Sequence, residues 1–85
     1  MVDLNNTDEH LYDLVARDLK KKIREYYFGK EGKIPNYLQL TEMYDVSMST
    51  IKKAMKILNE EHVLVSRVGK GTFANKAFLE GNLNG

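Results

Sequence analysis

The chain has 85 residues, 42% hydrophobic and 29% charged, enough for one modest folded core but not for a catalytic cleft between two subdomains. No apolar run approaches the roughly 20 residues of a membrane span, and the lack of cysteine removes disulfide frameworks and thiolate metal sites. The net charge of +1 hides an asymmetry: residues 1–47 carry seven basic and nine acidic side chains, residues 48–76 six basic and two acidic, so the second half is the part suited to a polyanion.

The opening MVDLNNTDEH is polar and acidic, unlike a secretory signal. It points to a cytoplasmic protein with no membrane partner, and residues 1–7 read as a flexible N-terminus. From about 8 to 28, Leu11, Val15, Leu19, Ile23 and Tyr27 recur at four-residue steps, with Leu14 on the neighbouring row. That spacing predicts a long amphipathic helix, with Thr7 or Asp8 as N-cap and acidic residues in its first turn. Lys20, Lys21, Lys22 and Arg24 read as its solvated face, and Tyr26, Tyr27 and Phe28 as core and loop packing. Gly29 and Gly32 then break the helix.

Asn36 follows the only proline, Pro35, and precedes Gln39 by three residues, the form of a capping box. A short helix over 37–44 is expected, with Leu40 and Tyr44 inward. After the turn YDVS, Ser47 is placed to cap a third helix over about 48–60, whose Ile51, Ala54, Met55 and Leu58 form a buried stripe. Two short helices joined by a tight turn outline a helix-turn-helix. VLVSRV, GKG and TFA then read as a β-hairpin. The predicted fold is therefore mostly α with a small hairpin: a winged helix-turn-helix domain over 8–75, followed by a linker or tail over 76–85.

In that arrangement the third helix buries its stripe on the first and turns Ser49, Lys52 and Lys53 outward, where its first turns can reach base edges and phosphates. The hairpin, with Arg67, would lie across the adjacent backbone or minor groove. His10 and His62 are far apart, so no metal is expected. There is no paired carboxylate and no histidine placed for Ser47, so neither catalysis nor a cofactor is expected.

Three pieces in order, IPN before the second helix, VSMSTIKKAMKILNEE through the third and VGKGTF at the hairpin, together with Leu11-Tyr12 on the first helix, resemble the DNA-binding domain of GntR-type transcription regulators. The resemblance implies a DNA-binding regulator and assigns phosphate or base contacts to Ser47, Ser49 and Thr50. It puts Lys52 at a base-reading position and Gly69 and Lys70 at the wing tip. Leu38 and Met48 stand where the family pattern has arginine, with Tyr37 in place of a glutamate and His62 in place of the glycine that ends the third helix. Specificity would then fall to Tyr37, Met48 against a thymine methyl, Ser49 and Lys52, beside Asn36. Double-stranded DNA is the implied partner. A homodimer would form through a region outside this chain, and a small-molecule effector would bind a C-terminal domain that this chain lacks. The alternative, raised by Leu38 and Met48, is a winged helix used for protein–protein contact.

Overall fold

The structure, a computed structural model, describes residues 4–81, with side chains described from Leu11 onward. Residues 1–3 of the expected flexible N-terminus and 82–85 of the expected tail lie outside the described residues. Helix α1 runs Leu4–Arg24, starting and stopping earlier than its apolar period suggests. Thr7 and Asp8 lie within it rather than at its cap, and no acidic residue falls in its first turn.

Its C-terminus closes before either glycine. Tyr26 adopts φ +58°, its N–H donates to the Ile23 carbonyl at 3.1 Å, and the Tyr27 N–H reaches the Lys22 carbonyl at 2.9 Å. This pair of bonds satisfies the last turn with a left-handed residue. The reversal leaves Tyr26 and Tyr27 exposed, contrary to the packing expected of them. Only Phe28 of that trio is half-buried, with Tyr27 edge-on to it at 5.1 Å.

Helices α2 (Tyr37–Tyr44) and α3 (Met48–Glu60) begin and end where their caps dictate. Asn36 Oδ1 accepts the Gln39 N–H at 2.8 Å while Gln39 Oε1 accepts the Asn36 N–H at 3.0 Å, a complete capping box. Asp45, at φ +54°, stops α2, and Ser47 opens α3 two residues later. The core forms where α1 meets α3. Val15, Ala16, Leu19 and Ile23 bury against Ile51, Ala54, Met55 and Leu58, with Leu40 of α2 closing one side.

Strands β1 (Leu64–Arg67) and β2 (Gly71–Ala74) pair antiparallel, Leu64 opposite Ala74 and Arg67 opposite Gly71. The loop before α2 adds a third short rung. The Ile34 N–H donates to the Thr72 carbonyl at 2.9 Å and the Ala74 N–H to the Gly32 carbonyl at 2.8 Å. Gly32 is required there: its φ is +64°, and a Cβ would sit 2.5 Å from the Ala74 Cβ.

The expected linker begins instead as helix α4 (Lys76–Leu79), whose Phe78 is buried in the core. Asn75 holds it in place. Its side chain caps Ala77 at 3.0 Å and donates to the His62 carbonyl at 2.8 Å, and its own N–H reaches the Val63 carbonyl at 2.8 Å. One four-residue turn has no period to read, which is why this segment looks like tail in the sequence.

Two features of this fold can be tested. The Tyr44 hydroxyl donates to Asp18 Oδ2 at 2.6 Å, tying α2 to α1, and Lys22 donates to the same oxygen. Burial pushes the Asp18 carboxyl up, but these hydrogen bonds outweigh it and hold the group below its ordinary 3.8. Its stabilising contribution is therefore present above pH 3.8 and is lost as pH falls through the lower folded value. Tyr44→Phe should cost about 1 kcal/mol, the half-exposed carboxylate limiting the effect. Denaturant titrations should show a shallower acid loss in the variant; an identical acid limb would disprove the coupling.

His62 ends α3 at φ +60°, with its N–H on the Asn59 carbonyl at 3.1 Å and the Val63 N–H on the Leu58 carbonyl at 2.9 Å. A side chain in this left-handed position is strained, whereas glycine is at ease. His62→Gly should raise stability by about 0.5–1 kcal/mol, seen as a Tm increase of about 2–8 °C. A lower Tm would mean that the imidazole itself contributes to the fold.

Candidate nucleic-acid interface

Burying one stripe of α3 sets the phase of everything else on that helix. With Ile51, Ala54, Met55 and Leu58 inward, Met48, Ser49, Lys52, Lys53 and Lys56 face out. None of these lysines forms an ion pair with the described residues; those pairs join Arg17 to Asp13, Lys20 to Glu61 and Lys22 to Asp18. From Ser47 to Asn59 the chain carries no acidic residue, so the first turns of α3 are positively charged, while Glu60 shares a surface depression with Lys53 and Lys56 at the far end. Lys53 also lies over the Tyr12 ring of α1, 5.9 Å from its centre.

The hydroxyls at the entrance divide into two kinds. Ser47 Oγ is exposed but already accepts the Thr50 N–H at 3.2 Å, and the Thr50 hydroxyl lies 3.0 Å from it. Thr50 is 2% exposed, which removes it from the candidate contact surface: it belongs to the cap. The signal was in the helical phase, since residues 50, 54 and 58 fall on one row of the buried stripe. Ser49 is exposed, and its hydroxyl forms no hydrogen bond with the described residues.

Asn36, Tyr37 and Leu38 are exposed at the start of α2, although the Asn36 side chain is engaged in its capping box. A groove of about 550 Å³ runs from this turn to β2, lined by Lys33, Pro35, Asn36, Tyr37, Gly71 and Thr72. At the hairpin, Gly69 has φ +75° and the Lys70 N–H closes the turn on the Arg67 carbonyl at 2.9 Å. The Arg67 guanidinium stacks on Phe73, 4.5 Å from the ring centre, which orients the cation while leaving it exposed. Gly69 and Lys70 are exposed at the tip beside it. Val68 is fully exposed at the same tip.

The candidate residues thus come from three places: the first turn of α2, the first two turns of α3, and the hairpin tip. Among the described residues, no group of His, Cys, Asp and Glu could hold a metal ion, and no helix is long and apolar enough to cross a membrane.

Comparison with known proteins gives a consistent result. The family described as bacterial regulatory proteins, gntR family, matches residues 11–74. The uncharacterized HTH-type transcriptional regulator YurK of Bacillus subtilis is 30% identical over 79 residues, which cover 93% of this chain and 33% of YurK. A second such regulator of that organism, YdeF, is 28% identical over 72 residues, covering 85% of this chain and 16% of its own. The chain therefore spans a third or less of the curated relatives it matches. Among solved structures, the N-terminal domain of AraR, crystallised in complex with mutant ORR3, superposes with a TM-score of 0.66 at 31% identity, covering 75% of this chain and 91% of that one. Streptococcus agalactiae GntR gives 0.65 at 31% identity, covering 79% and 32%.

The two exposed serines should behave differently. Ser47→Ala removes the cap of α3 and should cost about 1 kcal/mol, whereas Ser49→Ala should stay within about 0.5 kcal/mol of the parent. Urea unfolding of both variants measures this, and equal losses would contradict the division of roles.

Proposed function

The chain belongs to the gntR family of bacterial regulatory proteins, matched over residues 11–74, and on that premise we propose that it is the DNA-reading domain of a cytoplasmic transcription regulator. Helix α3 enters the major groove, and the hairpin grips the neighbouring backbone or minor groove. Ser49, Lys52 and Lys53 reach phosphates or base edges from α3, with Met48 beside them. Asn36 and Tyr37 approach from α2, and Arg67, Gly69 and Lys70 from the wing. Ser47 serves first as a cap, and its end of the helix favours a phosphate. Thr50 supports Ser47 from inside.

The observation that carries this reading is the set of three exposed lysines on α3 with no ion-pair partner among the described residues, opposite the stripe that anchors the helix. The AraR domain crystallised with mutant ORR3 lends support as a relative of similar fold and extent. The regulator would act as a homodimer on a two-fold operator, dimerising through a region outside this chain. A small-molecule effector would bind a C-terminal domain, in keeping with the greater length of the curated relatives. A second reading, a winged helix that docks on protein, is favoured only by the exposure of Leu38 and Met48.

Salt separates the two readings. Binding through several phosphates weakens steeply as salt rises, while an apolar protein contact does not. Titrating a mixed-sequence duplex into isotope-labelled protein should shift amides of residues 47–53 and 67–72; an unchanged spectrum would refute the DNA reading. Lys52→Ala should weaken binding and reduce the log–log salt slope by about 1. Unchanged affinity and slope would exclude Lys52 from the interface.

A further inference from the structure

We propose that this domain selects its half-site through the 5-methyl groups of thymine, with Leu38 and Met48 as the side chains that read them. The proposal rests on the DNA-binding reading above. Leu38 is 62% exposed and Met48 37% exposed, each in the first turn of a helix-turn-helix helix. Neither is among the buried residues of the core cluster.

The surroundings of Met48 identify the occupant, and Leu38 is assigned to the same occupant from its matching place in the first turn of α2. One turn beyond Met48 come Lys52 and Lys53, both exposed, with no acidic residue between 47 and 59. An apolar protein surface docked here would have to desolvate those cations without pairing them. A nucleic-acid duplex supplies phosphates for the lysines and, within the same groove, one apolar group among its base edges. That group is the thymine methyl. Leucine and methionine side chains have no hydrogen to donate to the N7 and O6 acceptors of guanine, and pressing them there would leave those acceptors unsatisfied. Methionine adds adaptability, because its unbranched thioether can follow a methyl whose position shifts with local DNA geometry. The favoured half-site therefore carries thymine opposite these two positions, and the discrimination is against guanine and against cytosine, which lacks the methyl.

Binding selection from random duplexes at low salt, using the 85-residue chain, provides the starting site. Each thymine of the selected half-site is then replaced by deoxyuridine and affinity is measured by fluorescence anisotropy. Deoxyuridine keeps every hydrogen-bonding group and every phosphate and removes only the methyl. One or two replacements should each weaken binding about threefold to fourfold, as expected for one buried methyl, with the other thymines insensitive. Thermal unfolding first verifies that Leu38→Ala and Met48→Ala are folded, and each should then abolish the methyl effect at one thymine while leaving the other intact. Duplex binding with no response to deoxyuridine anywhere would overturn this proposal and leave the DNA-binding reading standing. A methyl effect that persists in both variants would overturn the assignment to these residues. Failure to bind any duplex would overturn the DNA-binding reading itself.

Discussion

The apolar contact between α1 and α3 governs the rest of the molecule. Leu19 and Ile23 on one side and Ile51, Ala54, Met55 and Leu58 on the other are almost wholly withdrawn from water. Each of the leucine, isoleucine and methionine side chains contributes roughly 1.5–3 kcal/mol by burial. Packing at this density also fixes the rotation of α3 about its own axis, because turning the helix by one residue would expose a leucine and bury a lysine. The outward set of Ser49, Lys52, Lys53 and Lys56 is thus selected by residues that never touch a ligand.

A second constraint fixes the hairpin. A two-stranded sheet alone is barely stable in water, yet this one must present its tip in a defined place. It gains a third rung from the Gly32–Ile34 segment and an inward anchor from buried Leu64 and Ala74. Arg67 and Phe73 are diagonal neighbours across the strands, and their stacking ties a surface cation to a ring buried on the sheet face opposite Leu64 and Ala74. Wing and helix are therefore referred to one core.

Much of this was legible in the sequence because the signals were local and chemical. The stripe of α3, the Asn36–Gln39 box, the Ser47 cap and the glycine turn each rest on a few adjacent residues, and each formed where its chemistry required. What escaped was set by backbone conformation or by distant packing. Tyr26 carries no mark of the left-handed geometry it adopts, and His62 is marked only by the glycine that the family pattern has in its place. Thr50 looked like one more hydroxyl at a helix entrance until its row on the stripe was followed inward. Leu38 and Met48 were visible as departures from an arginine-bearing pattern, but only their exposure distinguishes an unfilled role from a core substitution.

Phe78 extends the folded core past the segment matched by the family. The segment matched by the family ends at residue 74, yet the core continues through Phe78, with the Arg24 guanidinium stacked on its ring at 4.6 Å. A domain excised at residue 74 would lose a buried aromatic, a change that typically costs 3–5 kcal/mol, against a total of roughly 4–13 kcal/mol for a chain of this length. Any displacement of α4 would be felt by α1 through the Arg24–Phe78 stack and by the end of α3 through Asn75, at the opposite end of that helix from its Ser47 cap.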